Sequence, residues 1–170
     1  MRRTSGFTLI ELMVTVAVSA ILLAVAAPSF TSLYNNTRAA SAIGNIESSM
    51  AFARSQAVNF GRKVSVCPGN GSSCSGSWNN GYIIFIDDNG DKTADNGTEV
   101  LKRIQGFNSK DFIKASSTLI TFGMDGMLSS TSSISIHYCP SKKNSEYSKG
   151  ISISPSGKIA AINTDVNCNS

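Results

Sequence analysis

The chain has 170 residues, room for one domain of ordinary size beside a hydrophobic segment. With 41% hydrophobic and 15% charged residues it has the make-up of a folded protein with a lightly charged surface. Its net charge is +4, and Arg2 and Arg3 supply two of those charges, too weak a balance to argue for nucleic acid from charge alone.

The first element is the apolar run that follows "MRRTSG". Phe7–Ala27 comprises 21 residues, about 31 Å of helix and enough to span a bilayer core. Arg2 and Arg3 would hold its start on the cytoplasmic side. A secretory signal is a second reading, with "AVA" at Ala24–Ala26 as the cleavage site. Glu11 separates these readings from a third. A carboxylate in an apolar span opposes insertion by roughly 2.5–3.5 kcal/mol, and neither a discarded signal nor an isolated anchor gains from it. A cut between Gly6 and Phe7 would leave an ammonium at Phe7, and a neighbouring subunit could present that amine to Glu11. In a low dielectric the attraction could offset the desolvation of both charges.

Beyond the run, Pro28 should bend or loosen the helix, because it lacks an amide donor and crowds the preceding turn. Ile43, Ile46, Met50, Ala53 and Ala57 recur at steps of three and four, an apolar stripe facing a core, and Gly61 is a natural stop. From Arg62 onward the period changes to two and turn clusters intervene. Strands are expected at 63–67, 81–87, 99–104, 118–123, 133–139, 150–155 and 157–162, with "SPSGKI" a tight hairpin joining the last two. The fold class is α+β: a long N-terminal helix, membrane-spanning in its first half and amphipathic in its second, packed on an antiparallel β-sheet region. The four cysteines, Cys67, Cys74, Cys139 and Cys168, form no pair of CxxC knuckles. A membrane-directed start favours disulfides over buried thiols. The short loop "CPGNGSSC" favours Cys67–Cys74, which leaves Cys139–Cys168 to tie down the tail.

"GFTLIELMVTVAVSAILLAVAAP" resembles the class III signal of type IV pilins and type II secretion pseudopilins. The match covers a short basic leader, Gly6 before the cut, Phe7 after it, Glu11 and Pro28. The resemblance implies cleavage between Gly6 and Phe7 by the prepilin peptidase, N-methylation of Phe7, and assembly through Glu11. The later blocks "SSMAFARSQAVNFGRKVSVC", "SWNNGYIIFIDDNGD", "ITFGMDGML" and "GISISPSGKI" look like the GspH/FimT domain of the FimT/FimU family. The implied division is a leader at 1–6, a transmembrane and filament-core helix at 7–28, an amphipathic half at 29–61 and a periplasmic β-rich region at 62–170.

Three constellations invite chemistry. Asp87, Asn89, Asp91 and Asp95 in "DDNGDKTADNGTE" resemble a calcium loop. Lys92 stands where such a loop needs glycine, however, and an acidic hairpin turn is the plainer reading. Lys142, Lys143 and Lys149 near Tyr147, with Lys158 in the same hairpin region, are candidate nucleic-acid contacts. FimT-type pilins that bind DNA would carry a Gly-Arg-x-Arg pattern, whereas this chain has Gly157-Lys158-Ile159-Ala160. His137 has no nucleophile at a fixed spacing, so no catalytic set and no cofactor site emerge, and Trp78 reads as a packing anchor. The expectation is a non-enzymatic minor pilin that takes part in initiating type IV pilus assembly at or near the tip. It would sit in the inner membrane first and in the pilus afterwards, with other minor and major pilins and the prepilin peptidase as partners. The alternatives are a DNA-binding pilin for natural transformation and an H-type minor pseudopilin of type II secretion.

Overall fold

Helix α1, Leu9–Phe60, opens the computed structural model, which describes residues 7–94 and 99–169, without the side chains of 25 and 27–29. The leader, including Gly6, and Asp95 of the acidic loop therefore lie outside the described residues, as does the side chain of Pro28. Helical backbone runs through Pro28, whose missing N–H leaves the Ala24 carbonyl without its intrahelical donor. Among the described residues no helix is long and apolar enough to cross a membrane. The chain divides into two compact units, residues 1–35 and 36–170.

In the larger unit α1 ends at Phe60 because Gly61 turns the chain with φ of 60°. Arg62 N–H donates to Ala57 O at 3.3 Å and Gly61 N–H to Val58 O at 3.4 Å, a Schellman cap that satisfies two terminal carbonyls. Eight strands follow among the described residues: β1 Val64–Pro68, β2 Gly81–Ile86, β3 Val100–Gln105, β4 Phe112–Ala115, β5 Ile120–Phe122, β6 Ile134–Cys139, β7 Lys149–Ile153 and β8 Ile159–Ile162. All pairings between them are antiparallel, in two four-stranded sheets ordered β3-β2-β1-β5 and β4-β6-β7-β8. β4 is the strand that sequence periodicity did not announce. It is short, and its free edge is held by the Asn79 side chain, whose Oδ1 accepts Ile113 N–H at 2.7 Å.

The stripe Ile43, Ile46, Met50, Ala53 and Ala57 is buried in one core with Val64, Ile84 and Phe122 of the first sheet and Ile136 and Ile153 of the second. Period-two alternation decides which strand residues take part: on β6, Ile134, Ile136 and Tyr138 face the core while Ser135 and His137 face away. β1 and β2 are buried along their whole length, because Cys67, Ile83 and Phe85 on their other face form a second cluster with Ala94. Cys67 is bonded to Cys74 and Cys139 to Cys168. The second bond draws the tail back towards β6, where the Asn167 carbonyl lies 2.7 Å from His137 Nδ1 and Cys168 N–H donates to Lys143 O.

Two polar clamps tie α1 to the sheets. Arg38 donates to the fully buried Asp111 at 2.8 Å, and that carboxylate also accepts the Tyr138 hydroxyl and Ser141 N–H. Arg54 Nε donates to Gly126 O at 2.9 Å, beside the Ser154–Lys158 turn. Gly157, with φ of 76°, sits so close there that a Cβ would lie 2.1 Å from Gly126 O. Ser154 N–H donates to Lys158 O and Gly157 N–H to Ser154 O, the three-residue hairpin with glycine in the left-handed position.

Candidate assembly site

In the N-terminal unit, apolar side chains without internal cover surround a single carboxylate. Phe7 is 77% exposed, Leu9 76% and Leu23 68%, with Ile10, Leu12 and Ile21 also exposed. Such a surface is stable only when lipid or other helices take it from water. Thr15 and Ser19 satisfy their hydroxyls by donating to Leu12 O and Thr15 O, so they add no unmet polar group to the run.

Glu11 lies among Phe7, Ile10, Val14 and Thr15. Its Oε2 accepts Thr8 N–H at 3.0 Å and the Thr8 hydroxyl at 2.8 Å, and its own N–H reaches back to Thr8 Oγ at 3.3 Å. This is a capping box, with Thr8 just ahead of the first helical residue and Glu11 three positions later. The T-x-x-E spacing announces it in the sequence, yet Thr8 was not singled out there. The carboxylate is thus oriented towards the helix start, where the macrodipole also favours negative charge. An amine created at Phe7 would arise one residue ahead of that cap.

Among the described residues the acidic loop does not gather its carboxylates. Asp87, buried, accepts from Ser65 Oγ at 2.8 Å, and Asp91 Oδ1 accepts Thr93 N–H in a turn. Asp88 takes Arg62 at 2.5 Å and Lys63 N–H at 2.9 Å, while Glu99 takes the other arm of Arg62 at 3.0 Å. The Arg62 hydrogen bond holds the Asp88 carboxyl below the usual carboxylate range, and Asp88 followed by Glu99 raises the guanidinium in return. Among the described residues no three His, Cys, Asp or Glu side chains converge on a metal-sized position.

The lysines do not share one patch. Lys149 pairs with Tyr138 at the start of β7, whereas Lys158 lies beyond the far end of that strand beside Arg54. β7 alone separates those ends by about 15 Å. Lys142 and Lys143 stand in the loop after β6, where Lys143 Nζ lies 5.9 Å from the Phe112 ring centre. Trp78 is buried against Tyr82, their ring centres 5.6 Å apart.

An exposed apolar helix start bearing one capped carboxylate, and an α+β body of helix on antiparallel sheets, are what a subunit of the minor pilin and pseudopilin class presents. The chain belongs to the GspH family: residues 42–157 match the family described as Type II transport protein GspH. Residues 1–27 match the prokaryotic N-terminal methylation motif. In fold the chain is similar to the type IV minor pilin FimU of Pseudomonas aeruginosa in two crystal forms. One, in space group P21, is 20% identical with a TM-score of 0.61 and covers 78% of this chain and 96% of that one. The other, in P65, is 21% identical with a TM-score of 0.58 and covers 76% and 98%. No curated protein sequence matches the chain.

Proposed function

We propose that this chain is a minor pilin that takes part in initiating type IV pilus assembly and is incorporated at or near the tip. The observation that carries the reading is Glu11, an acidic side chain held among the described residues only by its own helix start within an otherwise exposed apolar surface. The sequence of events begins with the helix in the inner membrane and the β-rich region in the periplasm. The prepilin peptidase cuts between Gly6 and Phe7, and Phe7 is N-methylated. The helix then leaves lipid for neighbouring pilin helices, and Glu11 exchanges its Thr8 contact for a neighbour's terminal amine. Pro28 loosens the helix so that it can pack in the filament core.

The test is Glu11→Ala in the full chain. The variant is expected to be processed at Gly6–Phe7 and held in the membrane as the wild type is, and to be depleted from sheared filaments. Normal incorporation would refute the role of Glu11. The GspH match supports a second reading, the same subunit in a type II secretion pseudopilus. Loss of the gene separates the two: loss of pili supports the first reading, and loss of protein export with pili intact supports the second.

A further inference from the structure

The two sheets have four edge strands, and three are guarded. β3 carries Lys102 and Arg103 and a register shift opposite Ile84 and Phe85. β4 has its outward Ile113 N–H taken by Asn79. β5 is flanked by the segment after it, where Ser129 N–H donates to Thr121 O and Leu128 bridges Phe122. Charge, bulges and cover are the devices that keep edges from pairing. β8 has none of them: its residues are Ile159, Ala160, Ala161 and Ile162, and both alanines are exposed.

The register shows what this edge offers. Ser154 and Lys158 are a hydrogen-bonded pair, so Ser152–Ala160 and Gly150–Ile162 are bonded pairs as well. The N–H and C=O of Ile159 and Ala161 therefore point away from β7, and among the described residues no backbone group meets them. Beside them lie two adjoining clefts of about 600 and 500 Å³, both bordered by Glu47 of α1 and running along β8 from Val58 to Ile43. The first is apolar at Ala51, Val58 and Ile159, whereas the second is largely polar, with Glu47, Glu146, Lys149 and the tail residue Asp165 beside Ile43. Lys158 has no carboxylate within ion-pair distance among the described residues.

Resting on the pilus-subunit reading, we propose that the free edge of β8 receives an extended strand from a different pilin-class subunit. That strand would complete the ladder at Ile159 and Ala161, lay alternate apolar side chains against α1, and place a carboxylate by Lys158. The chain's own tail does not fill the edge, because residues 167–169 are drawn to β6 and β4 by Cys139–Cys168 and by Lys114, which donates to Asn169 O. Pairing of β8 with β8 of a second copy is two-fold and closes on itself, whereas a filament needs head-to-tail contacts.

The test uses cells making the full-length chain. Ala161→Pro removes only the outward N–H and keeps the β7 ladder, as proline on an edge strand allows. It is expected to lower the chain's share in sheared filaments by about tenfold, with its membrane level unchanged. A photo-crosslinking residue at 161 is expected to label an extended segment of another pilin subunit, and one at 152 is not. Should Ala161→Pro fail to fold, Ala161→Lys, which keeps the N–H and sets a charge in the cleft, is expected to give the same depletion. The proposal is overturned by undiminished incorporation of a folded variant, by crosslinks to a helix, or by crosslinks to β8 of a second copy. Wild-type chain absent from filaments would overturn the pilus reading and this one with it, whereas wild type present with normal Ala161→Pro removes only the edge.

Discussion

Removing the Asp111 carboxylate tests whether the helix is held to the sheets by a buried clamp. Asp111 is fully buried, and its oxygens accept from Arg38, the Tyr138 hydroxyl and Ser141 N–H. Asp111→Ala leaves the Arg38 guanidinium, 17% exposed, without this carboxylate and removes the acceptor of the Tyr138 hydroxyl and Ser141 N–H. Breaking a buried ion pair from one side costs about 3–5 kcal/mol. For a unit of this size that is a fall in Tm of about 10–20 °C. The single Trp78 is buried and adjoins Asn79, whose side chain donates to Asp111 O, so its fluorescence reports on the network during urea unfolding of the detergent-held full chain. The contrast is Asp88→Asn, which breaks a pair whose members are 42% and 46% exposed and is expected to cost less than about 1 kcal/mol. Arg38→Leu with Asp111→Ala is expected to be less damaging than the two single losses added together. An Asp111→Ala cost no larger than that of Asp88→Asn would refute the clamp.

Burial pushes the Tyr82 phenol up to about 12, with Ser49 pulling slightly the other way. Because the folded value exceeds that of an unfolded tyrosine, near 10, its contribution is complete below about pH 10 and is lost as pH rises towards 12, on the order of 3 kcal/mol. Tyr82→Phe is expected to flatten that alkaline decline in urea midpoints, and an unchanged slope would count against it. Gly157→Ala places a Cβ 2.1 Å from Gly126 O at φ of 76°, whereas Gly90→Ala meets open space at φ of 77°. Thermal melts are expected to show Gly90→Ala losing about 1 kcal/mol and Gly157→Ala clearly more. Replacing Cys139 and Cys168 by serine, a separation of 29, is expected to cost about 3.6 kcal/mol, against about 2.5 kcal/mol for Cys67 and Cys74, a separation of 7. Equal losses would show that loop length does not govern the difference.

Much of the fold is legible in the sequence because its causes are local. The step of three and four from Ile43 to Ala57, the glycine at 61 and the Ser154–Lys158 turn each act within a few residues. β4 was not legible, because "DFIKASS" shows little alternation and the strand depends on a side chain 34 residues upstream. Asp111 carries no signal in its neighbourhood, since Arg38 lies 73 residues away and only folding joins them. Arg54 is similar: its partner at Gly126 is 72 residues distant. The lysines read as one patch from composition, but strand register sets Lys149 and Lys158 at opposite ends of a hairpin. At the helix start the legible part was the charge itself. Its intrachain partner, Thr8, was available from spacing alone.

Three carboxylates show why the proposed assembly contact falls on Glu11 and not on the better-held groups. Asp111 receives donors from α1, β6 and the loop after β6, so an incoming amine would have to break contacts that hold the unit together. Asp88 is reachable, but water already solvates it and salt screens its pair with Arg62. At Glu11 both donors come from one residue three positions away, and both fall on Oε2. Letting go disturbs one cap and, among the described residues, no tertiary contact. The apolar side chains around it would gain by leaving water together, and they would lower the dielectric in which the proposed pair forms. A group with replaceable local partners in apolar, uncovered surroundings is therefore the one that the proposed subunit contact would use.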